Sequence, residues 1–413
     1  MSEYKNIGSF SKVRRGASPR PIGDPSYFGG NVGWVRISDV TQRNNKFLRN
    51  TQQYLSPLGE SKSLRVDSGD LIMSICATVG KPMIVDIPAC IHDGFVQIYD
   101  LKNADTEYLY YLLQFHEKDF EKRGQPGTQV NLNTTIVENE IVFMPDDIKK
   151  QQKIAKVLTT IDQLIEKTQE LIDKHTAIKQ GMMNDLFTRG IDLITGQLRP
   201  TIEQAPHLYK ETDLGWIPKE WEVVPFSEVS DIIDPQPDHR TPPEAENGIP
   251  YIGVSDFLED GSLDMKGSKK VIPEAYAKQK KRFQVTEGDI IFGKIGTIGE
   301  PKYIPLKEGF ALSANVVLIK PKIEPEYILS YLDSCNFNMQ VKLATNTTSQ
   351  PALGIEKIRN LKILKPTKDE VSSLVCIFNK LRKEYQSQSK YLTKLKNKKI
   401  GLMQDLLTGK VLV

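Results

Sequence analysis

The chain has 413 residues, a formal net charge of +3, and 39% hydrophobic and 26% charged residues. This length predicts roughly two to four structural units rather than one core, and the composition is typical of a globular protein. No apolar run approaches the roughly 20 residues of a membrane-spanning helix, so a membrane protein is excluded.

The N-terminal segment and the cysteines support two further exclusions. Met1–Arg20 carries charge but no apolar stretch, so it is not a secretory signal. The 4 cysteines are scattered and form no CxxC pair, which indicates buried reduced thiols in a cytosolic protein. The small net charge neither requires nor excludes a nucleic-acid partner, because basic residues can cluster locally.

The sequence contains two copies of one unit. Val66–Met73 matches Val285–Phe292, and Thr78–Gly80 matches Thr297–Gly299 at the same offset. Other matches keep the same order and nearly the same offset: Ile37–Asp39 with Val254–Asp256, Glu107–Leu113 with Glu326–Leu332, Leu132–Pro145 with Leu353–Pro366, and Gly181–Thr188 with Gly401–Thr408. A period this long, about half of the chain, indicates duplicated domains rather than a solenoid.

In chain order, the first copy begins with a strand-rich part. Short β-type runs separated by Gly, Pro, Asn and Asp predict strands at Trp34–Ile37, Leu71–Ile75, Met83–Ile87, Phe95–Tyr99 and Ile141–Met144. A helix at about 106–120 is predicted before the last strand. Its predicted cap is Thr106, and its apolar face consists of Tyr108, Leu109, Leu112, Leu113 and Phe120.

A long helix is predicted at the end of each copy. Its apolar or neutral positions follow steps of four and three: Ile154, Leu158, Ile161, Ile165, Thr168, Ile172, His175, Met182 and Leu186, then Leu374, Phe378, Leu381, Tyr385, Gln388, Leu392, Leu395, Leu402 and Leu406. This pattern is that of a coiled-coil seam. Each helix could pack on its own domain, but two full-length seams favour packing of the helices against each other. Chain order then predicts an antiparallel pair about 60 Å long.

These elements predict an α+β fold, in which two duplicated mixed α/β domains are separated by a pair of long antiparallel coiled-coil helices with pseudo-twofold symmetry. The predicted boundaries are 1–148 for domain one, 149–190 for a central helical spacer, 191–216 for a linker, 217–367 for domain two and 368–413 for a C-terminal helical spacer. Gly and Pro exclude a continuous helix through the linker. Trp216, Ile217 and Trp221 predict that its end is packed down.

A family resemblance is carried by Thr212–Val223, by Gly288–Phe292 with Gly296–Gly299, and by the helix ends Gly181–Gly190 and Gly401–Gly409. Together these segments resemble the specificity subunit of type I restriction–modification systems, over essentially the whole chain and in the family's order. One departure is Lys368–Leu374, which lacks the Gln that Gln151 and Gln152 provide at the start of the first long helix.

The resemblance implies a specificity subunit with no catalytic residues. Each target-recognition domain would read one half of a split, asymmetric site in double-stranded DNA. The helices would fix the half-site spacing and dock two methyltransferase subunits, and restriction subunits would complete the complex. It also implies a cytoplasmic location and no cofactor in this chain, with S-adenosylmethionine, ATP and Mg²⁺ on the partner subunits. The candidate docking positions are Ile154, Ile161, Leu186, Leu374, Leu381 and Leu406.

The residues show few signs of catalytic chemistry. Gly288–Lys294 is similar to a phosphate-binding loop, but Ile295 stands where that motif needs Ser or Thr. The chain has no Asn-Pro-Pro-aromatic tetrapeptide of an amino-methyltransferase, and its histidines lack metal-ligand spacing. We therefore predict no catalytic residue and no metal site, and we interpret His175 as a core residue that sets the helix register.

DNA reading needs Lys and Arg for phosphates, and Arg, Asn, Gln, Ser and Thr for base edges. Two matched loops, 123–133 and 344–353, are rich in such residues, although they could also be solvated loops that cap the next helix. The candidates in domain one are Lys12, Arg14, Arg15, Arg20, Arg36, Arg123, Gln125, Thr128, Gln129, Asn131 and Asn133. Those in domain two are His239, Arg240, Lys294, Asn346, Thr347, Thr348, Ser349 and Gln350.

Two other functions are compatible with these patterns. The chain could be a non-catalytic coiled-coil adaptor that binds protein partners only, in which case it would not retain duplex DNA. It could also be a remnant of a duplicated nuclease or methyltransferase, but the missing motifs argue against that function.

Overall fold

A computed structural model describes residues 4–41, 46–123, 131–238, 240–258, 261–305, 308–345 and 351–411. The chain divides into two compact units. Unit 1 comprises Met1–Thr168 and Leu392–Val413, and unit 2 comprises Gln169–Tyr391.

Unit 1 contains domain one and parts of both long helices. Its strands are β1 (Tyr4–Asn6), β2 (Lys12–Arg15), β3 (Phe28–Val35), β4 (Phe47–Leu48), β5 (Gln53–Leu55), β6 (Leu64–Val66), β7 (Leu71–Ser74), β8 (Pro82–Val85), β9 (Ala89–Ile91), β10 (Phe95–Tyr99) and β11 (Ile141–Phe143). Its helices are α1 (Ile37–Thr41), α2 (Pro57–Glu60), α3 (Thr106–Phe115), α4 (Glu117–Arg123), α5 (Thr134–Glu138) and the first part of α6 (Ile148–Thr188).

Two sheets form the scaffold of domain one. One has the strand order β2-β10-β7-β8-β4 and the other β5-β3-β9-β6, while β1 pairs separately with β11. All four residues of β7 are buried, because its apolar run lies inside the larger sheet and under α3.

The predicted single helix at 106–120 is divided into α3 and α4 at His116. Its cap is also different from the predicted one. Asp105, not Thr106, accepts the hydrogen bond from the Tyr108 amide at 2.9 Å, because an aspartate just before the helix can satisfy a free amide of the first turn.

Unit 2 contains the second copy. Its strands are β12 (Ile191–Asp192), β13 (Gln197–Leu198), β14 (Tyr209–Thr212), β15 (Gly215–Pro218), β16 (Glu222–Pro225), β17 (Ser230–Ile233), β18 (Glu244–Ile252), β19 (Lys270–Val271), β20 (Ile290–Gly293), β21 (Pro301–Tyr303), β22 (Ala311–Leu312), β23 (Val316–Pro321) and β24 (Lys362–Lys365). Its helices are the second part of α6, α7 (Phe226–Val229), α8 (Pro273–Lys280), α9 (Pro325–Leu332), α10 (Cys335–Ala344), α11 (Ile355–Asn360) and the first part of α12 (Lys368–Leu406).

The sheet topology confirms the duplication. The order β17-β23-β20-β21 in unit 2 repeats β2-β10-β7-β8 in unit 1, and β16 pairs with β24 as β1 pairs with β11. The parallel pair of β3 and β9 recurs as β18 and β22. The glycine of the repeated Thr-x-Gly turn is required for the same reason in both copies. Gly80 and Gly299 adopt φ angles of +81° and +89°, a region that favours glycine.

The long helices lie antiparallel within each unit. In unit 2 the ring centres of Phe187 and Phe378 are 5.1 Å apart, and His175 lies 2.6 Å from Gln388. The later residue on α6 therefore contacts the earlier residue on α12, which shows that the two helices run in opposite directions. In unit 1 Asp162 pairs with Lys399 at 2.7 Å. Near the domains the helices also contribute to the domain core, so both packing modes considered above occur: Ile154, Ala155, Leu158, Met403, Leu406 and Leu407 belong to the core of domain one.

The helix seam departs from the predicted positions toward the C-terminal ends. Met182 is 39% exposed whereas Met183 is 6% exposed, and Met403 is buried beside the half-buried Leu402. Tyr385, in the middle of α12, is 40% exposed and has no buried neighbour in its place. A straight helix with 3.6 residues per turn drifts away from a strict 3.5-residue repeat, which moves the buried position by one residue.

The linker forms two hairpins, β12–β13 and β14–β15. Ile217 and Trp221 are buried as predicted, but Trp216 is 45% exposed. The carboxylate of Glu370, at the start of α12, binds Arg199 at 2.9 Å and accepts the Trp221 indole N–H at 2.8 Å. Glu370 therefore anchors the linker.

Glu370 also explains the departure from the family pattern at Lys368–Leu374. At the offset that relates Val66–Met73 to Val285–Phe292, it is the counterpart of Gln151, which is fully buried in unit 1. Gln151 accepts the Asp105 amide at 2.8 Å and donates to the Pro145 carbonyl at 2.7 Å. A buried polar side chain thus stands at the same helical position in both copies and binds different partners.

Candidate nucleic-acid interface

The ends of the two polar loops are held in the same way in both domains. The loop positions themselves lie outside the described residues, as does His239: Gln125, Thr128, Gln129, Asn346, Thr347, Thr348, Ser349 and Gln350. After the loop in domain one, Asn131 forms a β-bridge with Cys76, and in domain two Ala352 forms one with Ile295. Each loop therefore returns to the end of the strand that carries the repeated Gly-Asp motif.

Asn133 has a structural role in domain one. Its side-chain oxygen accepts the Ile136 amide at 2.8 Å and caps α5. This contact matches the alternative considered above, in which Asn of the loop caps the next helix. Asn131 is exposed.

Exposed basic side chains line β2, an edge strand of the larger sheet in domain one. Arg14 donates from Nε to the Gln97 side chain at 2.7 Å, and its guanidinium lies 4.6 Å from the centre of the Tyr99 ring. Lys12 pairs with Asp100 at 2.8 Å, and this hydrogen bond and the charge of Asp100 raise the pKa of Lys12. These contacts hold two of the candidate cations at defined positions.

Asp93 binds three side chains at the end of β2 and in the segment after it, those of Arg15, Ser18 and Arg20. Its carboxylate accepts the Ser18 hydroxyl at 2.8 Å and binds Arg20 at 2.8 Å, and its carbonyl accepts Nε of Arg15 at 2.7 Å. Partial burial acts to raise the pKa of Asp93, but the Ser18 hydrogen bond and the nearby cations outweigh it and lower the pKa. Asp93 therefore stays ionised and gathers the candidate arginines.

Arg36 directly follows β3 of the second sheet. Its guanidinium is 5.1 Å from the Trp34 ring centre and donates to Gln53 at 3.2 Å. Trp34 in turn packs edge-on against His92, whose pKa is lowered by burial. Asp93 and the buried side chains of Gln97 and Trp34 support these cations from positions that were not predicted from the sequence.

Arg123, at the end of α4, is anchored to a buried acid. It pairs with Glu140 at 2.6 Å; the Arg123 side chain is 52% exposed and that of Glu140 is 2% exposed. His116 lies 3.1 Å from the other carboxylate oxygen of Glu140. The last described residue before the loop in domain one is therefore a fixed cation.

In domain two, Lys294 does not lie on the surface. Its ammonium pairs with Asp234 at 2.7 Å, and the two side chains are 3% and 13% exposed. A buried and paired ammonium is not available to a phosphate, so we remove Lys294 from the candidate interface. Arg240 is exposed, and its carbonyl accepts the Gln236 side-chain amide at 3.1 Å.

Two features of domain two were not found from the sequence. Lys278 on α8 pairs with Asp238 at 2.6 Å, and Arg282 donates to the Asp234 carbonyl at 3.0 Å. Domain two also contains a polar cleft of about 420 Å³, with Thr241, Ser255, Lys269, Thr297 and Asn315 among its lining residues. The cleft is formed by residues far apart in the sequence, so no local motif reveals it.

The predicted docking positions on the helices are internal. Ile154, Ile161, Leu186, Leu374 and Leu406 are each 5% exposed or less, and Leu381 is half-buried. A different set of apolar side chains faces solvent at seven-residue intervals on α6: Val157 and Leu164 in unit 1, and Leu171 and Ile178 in unit 2.

The described ranges hold no cluster of three or more His, Cys, Asp or Glu side chains arranged to bind a metal ion. None of the helices in this part of the chain combines the length and hydropathy that crossing a membrane requires.

Comparison with known proteins identifies a family. Residues 1–174 and 218–407 each match the sequence model of the type I restriction modification DNA specificity domain. The type I restriction enzyme MjaVIII specificity subunit of Methanocaldococcus jannaschii is 26% identical over 100% of this chain and 93% of its own length. The MjaIX specificity subunit of the same organism is 23% identical over 100% and 94%.

A solved structure has the same fold. The S subunit of a type I restriction–modification system from M. genitalium matches with a TM-score of 0.56 and 13% identity. The match covers 98% of this chain and 95% of the other.

Proposed function

Because this chain belongs to the type I restriction modification DNA specificity family and is a specificity subunit of a type I system, we propose that its two domains read the two halves of a bipartite, asymmetric site in double-stranded DNA. The subunit itself is proposed to be non-catalytic. Methyltransferase and restriction subunits would supply the chemistry, together with S-adenosylmethionine, ATP and Mg²⁺.

The observation that carries this proposal is that one scaffold presents two different surfaces. On the edge strands, Lys12 begins the pairing of β2 with β10, whereas Asp231 stands at the matching place in the pairing of β17 with β23. Asp231 pairs with Lys322 at 2.7 Å and Lys12 pairs with Asp100 at 2.8 Å, so the strand supplies the acid of this ion pair in domain two and the base in domain one. Because the side chains on the surface contact the DNA, two domains with the same fold and different surface side chains can bind two half-sites of different sequence.

A domain exchange tests the asymmetric site. The chain would be produced with its methyltransferase partner, and methylated adenines would be mapped in the host DNA. We expect two specific half-sites with a fixed spacer. Replacing residues 217–367 by a second copy of 1–148 should convert the site into an inverted repeat of the first half. An unchanged site would contradict the proposal.

We further propose that the helices fix the spacer length. Removing the paired heptads 169–175 and 388–394 keeps the seam in register and shortens each helix by about 10 Å. At about 3.4 Å per base pair, the permitted spacer should shrink by about three base pairs. The half-site sequences should stay the same, and methylated sites that keep the wild-type spacer would contradict the ruler function.

We propose that the methyltransferase subunits dock on the exposed apolar positions of α6 rather than on the buried seam. Leu164→Glu in unit 1 and Leu171→Glu in unit 2 should each reduce co-purification of the methyltransferase subunit, because a charge would enter an apolar contact. Gln163→Glu introduces the same charge change at an exposed position that faces away from Leu164 and Leu171, and it is the control. Equal retention by all three variants would contradict this docking surface.

A gel-shift assay separates this function from that of a protein-binding adaptor. The chain with its methyltransferase partner should retain the mapped duplex more strongly than random duplex. Retention that is independent of sequence, or absent, would favour the adaptor.

A further inference from the structure

Glu140 is a buried carboxylate that the fold of the domain does not itself require. Its side chain is 2% exposed and lies between Arg123 at 2.6 Å and His116 at 3.1 Å. Removing a carboxylate from water carries a large desolvation cost, which is offset only where partners such as these compensate the charge.

The second copy of the domain holds the same place together with apolar residues. At the offset that relates Leu132–Pro145 to Leu353–Pro366, the counterparts of His116, Arg123 and Glu140 are Phe337, Ala344 and Leu361. Phe337 and Leu361 are buried in the core of unit 2, and Ala344 packs against that core. Since the scaffold folds with either set, the ionic group in domain one serves something other than the fold.

Arg123 links this group to the polar loop. It is the last residue of α4, directly before residues 124–130, and the loop returns at Asn131 to the β-bridge with Cys76. One guanidinium nitrogen forms an ion pair with Oε2 of Glu140 at 2.6 Å, an oxygen that accepts no regular hydrogen bond from the described residues, while 52% of the side chain remains exposed. An arginine held on one side by an ion pair loses less rotamer freedom when it binds an anion than an unpaired arginine does.

We propose that Glu140, supported by His116, is a positioning residue that holds Arg123 against a backbone phosphate of the half-site read by domain one. Ala344 stands at the position of Arg123 in domain two, so the residues described at this place form no equivalent ion pair. This proposal rests on the function proposed above and assigns one phosphate contact to one domain.

The test measures the salt dependence of binding by the full chain assembled with its methyltransferase subunits, on the mapped duplex. Arg123→Ala should weaken binding about tenfold and reduce the slope of log affinity against log salt by about 1, equally for all sequences in half-site one. Arg123→Lys should restore most of the slope. Lys122→Ala removes a neighbouring exposed cation of α4 and should leave the slope unchanged.

Two further variants isolate the anchor from the fold. Glu140→Gln should weaken binding several-fold while Arg123 keeps its charge, because the guanidinium is no longer fixed. The triple variant His116→Phe, Arg123→Ala, Glu140→Leu copies domain two. It should keep or raise the stability of unit 1, read by hydrogen exchange of its core amides, because an apolar set replaces a buried carboxylate. It should nevertheless bind DNA like Arg123→Ala.

The outcomes separate this proposal from the one on which it rests. A wild-type complex that does not distinguish the mapped duplex from random DNA would contradict the proposed function, and this proposal with it. A wild-type complex that does distinguish them, with a slope that Arg123→Ala leaves unchanged, would overturn the phosphate contact alone. Wild-type binding by the triple variant, or a change of base preference in Arg123→Ala, would also overturn it.

Discussion

Glu370 provides a quantitative test of how the linker is held to domain two. Its carboxylate accepts the Ile191 amide at 2.6 Å and the Trp221 indole at 2.8 Å, and it pairs with Arg199, whose side chain is 12% exposed against 1% for Glu370. Glu370→Gln keeps the shape of the side chain but removes its negative charge. It also replaces one carboxylate oxygen, which accepts hydrogen bonds, by an NH₂ group that would face the donors of Arg199 and Trp221 or the Ile191 amide. Arg199 is then left largely buried without a counter-charge, so we expect a loss of about 3–5 kcal/mol in the free energy of unfolding of unit 2.

Hydrogen exchange at the Ile191 amide can localise this loss, because the chain has two compact units and a single melting curve would mix them. The control is Glu228→Gln, which breaks the exposed pair with Lys365 at 3.1 Å and should cost no more than about 1 kcal/mol. If Glu370→Gln accelerates exchange at Ile191 no more than Glu228→Gln does, the buried carboxylate does not anchor the linker.

The duplication and the long helices could be predicted because both are written as periodic patterns. A repeat at a nearly constant offset and an apolar seam need no knowledge of tertiary contacts. Details that depend on exact geometry were missed, such as the buried Met183 in place of Met182. Likewise, the cap at Asp105 was assigned one residue late, since Asp and Thr are both good caps and stand next to each other.

The candidate interface was less accessible from the sequence. Residue type alone selected Arg14, Arg15 and Arg20, but not Asp93, which gathers two of them from a distant part of the chain. Residue type also selected Lys294, which the fold buries against Asp234. A charged residue between predicted elements is expected to be exposed, but a partner of opposite charge from a distant part of the chain can bury it, as Asp234 buries Lys294. The contacts of the selected residues with DNA remain predictions.

Two further predictions concern the helix seam and the thiols. His175→Leu with Gln388→Leu should raise the free energy of unfolding of unit 2 by about 1–3 kcal/mol, since the Gln388 side-chain oxygen is buried without a hydrogen-bond partner among the described residues. Faster hydrogen exchange at the helix amides around residues 175 and 388 would contradict this. Burial raises the pKa of Cys90 to about 11, while Cys335 and Cys376 are exposed. Because only the thiolate reacts and a raised pKa lowers its fraction, about one Cys90 thiol in a thousand is ionised at pH 8. A disulfide reagent should therefore modify the two exposed cysteines rapidly in the native protein, and Cys90 only when the protein unfolds or the pH approaches 11. Modification of Cys90 at pH 8 at the rate of the exposed pair, read by peptide mass spectrometry, would show that the sheet does not shield this thiol.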